Sequence, residues 1–306
     1  MSFIHLHVHS HYSLLQAVPK IGDIVKRAKA YGMSSVALTD NGNLYGAIEF
    51  YKECKDAGIK AILGVDFYVA NRTRFDKEGR LDTKRTRHLL LAKNYEGYLN
   101  LVKLVTDSYI EGYYYKPRLD GELIEKYASD LFCIIPFLTS KVSEALKMDD
   151  EETALAELAQ LRKVYGEDSV FYEVTRHTEI IDLNQPEGRV LSFIQKHNIP
   201  VVATNDVYYM DPEDKKARAT MMAVQSSSPE RFTEDDIDYS FISPDRAEEL
   251  FADENNPALD ALYKQALENS VKIADACNWE IELGKWVFNK IELPEGKNDD
   301  EALRDV

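Results

Sequence analysis

A distorted seven-stranded β/α barrel is the fold class this sequence predicts, and three observations carry it. Short apolar strands alternate with amphipathic helices along nearly the whole chain. Most of the connections are helices long enough for parallel crossovers. The polar residues that interrupt the strands gather near their C-terminal ends, where barrels place reactive groups. A doubly wound open sheet is the other arrangement that such alternation allows.

The elements follow in order. Residues 3–8 alternate with period two, so Ile4, Leu6 and Val8 face one way and His5, His7 and His9 the other. Ile21, Ile24, Val25, Ala28 and Tyr31 sit at helical spacing, and Gly32 supplies a stop, which predicts a helix over 19–31. A strand at 36–38 runs into Thr39-Asp40, and a second helix reaches Ala57-Gly58. Strands follow at 62–70 and 88–92, then a long helix over 96–110. The pattern resumes with strands at 131–137, 171–175 and 199–204, separated by helices at 150–165 and 187–197. Helices at 212–225, 244–251 and 257–276 form a helical C-terminal extension. The domain is expected over 1–285, and the polar, Pro- and Gly-containing stretch 286–306 reads as a linker.

Composition narrows the class. The chain has 306 residues with 37 basic against 53 acidic side chains, a net charge of −16 that argues against wholesale coating of nucleic acid. A hydrophobic content of 44% suits a packed core and excludes disorder. Length alone suggests two domains, but α/β barrels reach this size as one. No apolar run approaches the ~18 residues of a membrane span, and the N-terminus lacks the pattern of a secretory signal. Cys54, Cys133 and Cys277 are too widely spaced for a disulfide framework, which fits a cytoplasmic protein.

The candidate chemistry lies on the strands. A His-x-His on one strand face can chelate one ion, because both imidazoles project to the same side. Asp66 interrupts an apolar strand and needs a partner there, since a buried lone carboxylate is very costly. Asp40, His88 and Asp206 stand at or beside strand ends. Imidazole with carboxylate suits zinc, manganese or iron. The bland readings are a satisfied structural or surface histidine for a lone His such as His11 or His197, and turn chemistry for Asn205-Asp206. Segment 71–88 carries seven basic residues against three acids, a local charge of +4, and offers Arg72, Arg74, Lys84, Arg85 and Arg87 as phosphate contacts. A solvated loop is the plain alternative. Tyr113-Tyr114-Tyr115-Lys116-Pro117-Arg118 either stacks bases or packs a loop.

The stretches HLHVHSHYSLL, ALTDNGNLYGAIEFYK, GIKAILGVDFYVA, HLLLAKNYEGYLNLVKLV, EGYYYKPRLD, VVATNDVYYMDPED and AEELFAD together resemble the PHP (polymerase and histidinol phosphatase) domain at the N-terminus of bacterial DNA polymerase III alpha subunits. The closing WVFNKIELPEGK is similar to the segment that leads toward the palm. The resemblance implies a distorted seven-stranded β/α barrel with a trinuclear metal centre. It places ligands at His7, His9, Asp66, His88 and Asp206, all able to bind metal. Four further ligand positions fall on Gln16, Asn41, Phe137 and Tyr208, where the family has aspartate, histidine, cysteine and histidine. Amides and a phenol bind zinc or manganese poorly. The expectation is zinc or manganese, at most one or two ions, or none, with Asp40 nearby and His177 as a substitute ligand.

In intact members of the family the centre is a metal-dependent 3′–5′ exonuclease, and hydrolysis of that kind uses more than one ion. The degraded ligand set points instead to a structural module of a DNA-directed DNA polymerase, a nucleotidyltransferase whose polymerase carboxylates lie further on. Its expected partners are the rest of the polymerase chain, palm and thumb, and a separate proofreading exonuclease subunit. DNA would be held mainly through the full-length protein, with no membrane contact. The alternatives are a still-active exonuclease and a stand-alone phosphoesterase.

Overall fold

The computed structural model describes residues 3–176, 185–225, 237–285 and Arg304. His177 and, apart from Arg304, the linker expected over 286–306 lie outside the described residues. The strands are β1 (Ser35–Leu38), β2 (Lys60–Ala70), β3 (Arg85–Ala92), β4 (Arg118–Leu119), β5 (Leu131–Ile135), β6 (Val170–Val174) and β7 (Val201–Ala203). They form one curled sheet in the order β1-β2-β3-β5-β6-β7, with β4 added alongside β2.

The sheet is less parallel than the crossover lengths suggested. β2 pairs antiparallel with β3, and β3 antiparallel with β5, while β1–β2, β5–β6 and β6–β7 are parallel. The cause is local. Between β2 and β3 the chain holds only a short helix, Gly79–Thr83, too little for a parallel crossover, so β3 returns as the second arm of a long hairpin. Gly64 lets that hairpin close tightly, since a Cβ there would lie 2.4 Å from the Leu90 carbonyl oxygen.

The first segment corrects the sequence reading. Residues 3–8 do not form a ladder strand, yet they run between the two ends of the sheet. Ala37 N donates to His5 O at 2.9 Å and Thr39 N to Val8 O at 2.8 Å on one side. On the other, His9 N donates to Val207 O at 2.9 Å and Val207 N to His7 O at 3.0 Å. The Thr39 hydroxyl takes the Val8 N–H at 2.8 Å, so a side chain replaces a rung of the ladder. The effect is to bridge β1 to the segment after β7 and curl the sheet toward closure.

The alternation Leu6, Val8 inward to the apolar core still holds, both being fully buried. The helices pack outside. Asn94, Asp120, Ser140, Asp150, Ser243 and Asn256 cap six of them through side-chain oxygens that accept a backbone N–H. Helices Gly121–Tyr127 and Lys141–Lys147 were not foreseen, being too short for a periodicity signal. The long helix Pro257–Ala276 is tied to β7 by Asn269 Nδ2 donating to Val201 O at 2.8 Å. Among the described residues no helix is long and apolar enough to cross a membrane.

Candidate metal centre

The bridging N-terminal segment and the turn after β7 bring His7, His9 and Asp206 together, with their ligand atoms all within 4.8 Å of one another. His7 Nε2 and His9 Nε2 lie 3.3 Å and 3.1 Å from the same oxygen, Asp206 Oδ1. Three ligands at bonds of about 2.1 Å around one tetrahedral ion stand about 3.4 Å apart, so the spacing suits a single ion. Asp66 Oδ2 adds a fourth donor atom, the second oxygen of the set, 3.2 Å from His7 Nε2. Asp206 reaches in because the backbone turns left-handed there, at φ 47°, immediately after Thr204-Asn205.

His7 is held by a residue that the sequence reading missed. Glu173 Oε1, on β6, accepts from His7 Nδ1 at 2.7 Å and from the Thr204 hydroxyl at 2.6 Å. Its other oxygen accepts the Phe137 N–H at 3.1 Å. This carboxylate fixes the ring so that Nε2 faces the cluster, which is how proteins orient metal-binding histidines. The signal was present, since Glu173 interrupts an apolar strand just as Asp66 does.

The electrostatics are those of a compact charge cluster. Burial alone would depress His7, but the Asp206, Glu173 and Asp66 carboxylates override it and hold the imidazole well above its usual value. Burial also dominates at His9, which is pushed down despite its bond to Asp206. Burial opposes ionisation of Asp66 and Asp206, yet Arg87 and His7 hold the first, and His7 and His9 the second, below the usual carboxylate range.

Arg87 is the second missed residue of the centre, and its position corrects the expectation for His88. In an antiparallel pair, opposite residues share a face. Asp66 lies opposite Leu89, and Tyr68 opposite Arg87, so Arg87 joins Asp66 on the pocket face. His88 lies opposite Phe67 and points to the other face, away from the cluster. Arg87 Nε donates to Asp66 Oδ1 at 2.9 Å, and its Nη2 donates to both Asp66 Oδ2 and Asn41 Oδ1. The guanidinium thus stands among Asp66, Asn41 and the Tyr68 ring, whose centroid is 4.6 Å away.

The degenerate positions line the same side. Gln16 Oε1 accepts from Asn41 Nδ2 and from the Tyr68 hydroxyl, both at 3.3 Å. Tyr208 stacks on His9 with ring centroids 4.2 Å apart and planes 17° from parallel, and Arg218 covers its outer face at 3.9 Å. Burial and the nearby Asp206 hold the Tyr208 phenol well above its usual value. Phe137 is buried and contributes only its backbone N–H. Asp40 accepts from Ser10 N at 2.7 Å, Ser10 Oγ at 2.8 Å and Ser13 Oγ at 2.6 Å, and Ser13 Oγ in turn lies 3.4 Å from His9 Nδ1.

The basic loop is largely neutralised from within. Arg72 pairs with Glu78 and Asp82, and Arg74 with Glu111, Asp120 and Glu122. Fully buried Arg118 ties the loop down by donating to the carbonyls of Arg74, Asp76, Asp82 and Gly112 at 2.9–3.2 Å. The Tyr-rich motif therefore serves β4 and the loop. Lys84 and Arg85 remain without a carboxylate partner among the described residues.

The curled mixed sheet thus carries a His7, His9 and Asp206 cluster whose side chains could hold a metal ion. The chain belongs to the PHP domain family, which it matches over residues 5–177. Its sequence is 39% identical to DNA polymerase III subunit alpha of Borreliella burgdorferi over 90% of this chain and 24% of that protein. It is 36% identical to the same subunit of Treponema pallidum over 92% of this chain and 24% of that one, and 33% identical to that of Thermus aquaticus over 100% and 25%. The chain therefore spans about a quarter of the length of the curated relatives it matches. Among solved structures, an amidohydrolase from Chromobacterium violaceum superposes with a TM-score of 0.42 at 12% identity, over 68% of this chain and 88% of that one.

Proposed function

We propose that residues 1–285 are the PHP module of a replicative DNA polymerase alpha subunit, and that the module is structural, not hydrolytic. The observation that carries this reading is the Arg87 guanidinium on Asp66. A shared carboxylate engaged by an arginine is taken from the ion that it would bridge, and no other strong ligand remains at Gln16, Asn41, Phe137 or Tyr208. His7, His9 and Asp206 would hold one zinc or manganese ion, which when bound would supply a Lewis acid and a local positive charge. Phosphodiester hydrolysis of the family's kind needs a second ion, for which this pocket offers a fixed guanidinium instead.

The relatives named as polymerase alpha subunits support the setting: a larger polymerase chain in the cytoplasm, acting in DNA replication. The palm and thumb of that chain are the proposed neighbours, with a separate proofreading exonuclease subunit as a docking partner. The His7, His9 and Asp206 cluster favours a second reading, residual 3′–5′ exonuclease activity on one or two ions.

One experiment separates the two. Metal content is measured by mass spectrometry beside nucleotide release from a 3′-labelled strand with manganese, for the native chain and for His7→Ala/His9→Ala. The structural reading expects at most one ion and no release above the double variant, with the variant losing melting temperature. Two or three ions with variant-sensitive release would overturn it.

A further inference from the structure

The basic loop leaves part of its charge unspent, and the remainder has a place. Lys84 and Arg85 line a cavity of about 550 Å³ between the start of β3 and the helices Lys141–Lys147 and Glu151–Tyr165. Lys141 joins them from the first of these helices. No carboxylate among the described residues pairs with any of the three, in a chain of net charge −16.

Acids are present at the rim. Glu144 is held by Lys147 at 2.7 Å, whereas Glu157 forms no ion pair among the described residues. The polar floor is incomplete. Thr86 Oγ1 is buried with no hydrogen-bond partner, and so is His88 Nδ1, two residues on along the same face of β3. His88 is 5% exposed, and the Lys141 charge acts on it. Buried polar atoms are almost always satisfied, so the orphaned Thr86 hydroxyl, in a cavity that also holds three cations without a carboxylate partner, calls for a bound group.

We infer that this cavity, on the face of β3 opposite the metal cluster, is an anion site that takes a phosphate group. Phosphate offers oxygens to the Thr86 hydroxyl, and its negative charge meets the excess of Lys84, Arg85 and Lys141 over Glu157. Two sources share this chemistry, a nucleic-acid backbone diester and a free phosphate or phosphomonoester.

The test uses the 306-residue chain. A fluorescein-labelled single-stranded oligonucleotide is titrated by anisotropy at several salt concentrations, and melting temperature is followed with inorganic phosphate. If the source is a backbone, Arg85→Ala/Lys141→Ala weakens oligonucleotide binding about tenfold and lowers the salt slope by roughly 1.4, two contacts at ~0.7 each. If the source is a free anion, phosphate raises the melting temperature of the native chain and not of the double variant. Should the double variant not fold, Glu157→Gln decides alone. Removing its charge tightens whichever probe binds, and an unchanged affinity overturns the site. Neither probe acting on the native chain, or both acting equally on the double variant, also overturns it.

Discussion

The Arg87 guanidinium grips both carboxylate oxygens of Asp66 and the side-chain carbonyl of Asn41. One residue earlier or later on β3, the charge would leave the pocket, because strand side chains alternate between faces. The protein thus carries a permanent organic cation beside its His7, His9 and Asp206 cluster.

Removing that cation should be costly. Arg87→Ala takes the guanidinium from buried Asp66 and leaves it only His7, and the loss expected is about 3–5 kcal/mol in urea unfolding. Asp66→Asn combined with Arg87→Ala should recover part of it, since no uncompensated charge remains. Equal losses in the single and double variants would mean that the pair is not coupled.

Glu173 fixes the His7 ring through Nδ1. Glu173→Gln keeps the size but weakens that hold, and zinc affinity measured against a competing chelator should fall about 10–100-fold. An affinity equal to that of the native chain would show that His7 needs no such support.

Acid should unfold the protein through neutral buried histidines. Burial pushes His5 and His88 down to about 4, with Lys141 adding to the effect at His88 and the Ile242 carbonyl opposing it at His5. An unfolded histidine titrates near 6.5, so between pH 6.5 and 4 the unfolded chain binds more protons than the folded one. This contribution is full above pH 6.5 and is lost as pH falls toward 4, on the order of 3 kcal/mol for each residue. His7 has the opposite sign, because its raised value favours the folded state until pH passes that value. His88→Leu therefore isolates one acid-labile term. Urea midpoints at pH 7, 6 and 5 should fall more steeply in the native chain than in the variant, and parallel curves would refute the assignment.

Arg118 anchors the 71–83 loop through the Arg74, Asp76 and Asp82 carbonyls and also donates to Gly112 O. Arg118→Met leaves those acceptors unsatisfied, and the stability lost should be on the order of 3 kcal/mol or more. Limited proteolysis should then cut within the loop first. An unchanged cleavage pattern would show that the paired Arg72 and Arg74 hold the loop without it.

Much of the site was legible in period-two patterning and in polar residues placed where apolar ones belong. His7 and His9 read directly from such alternation, and Asp66 from its interruption of an apolar strand. Glu173 carried the same signal in Val-Phe-Tyr-Glu-Val and could have been found by the same argument. The charged loop was legible as a charge excess, but not the partners that cancel it. Asp82 is local, whereas Glu111, Asp120 and Glu122 come from elements 37 to 48 residues away.

The sequence by itself determined the alternation of strands and helices, the family, the His-x-His and the amide and phenol side chains at Gln16, Asn41 and Tyr208. These are local properties, written in spacing and residue type. Only the tertiary structure decided that β3 runs antiparallel, that residues 3–8 bridge the sheet's ends without forming a strand, and that Arg87 and not His88 enters the pocket. Each depends on register between segments far apart in the chain. A shift of one residue costs nothing in local propensity but reverses which side chain meets the buried Asp66, and the charge left unpaired there decides the outcome.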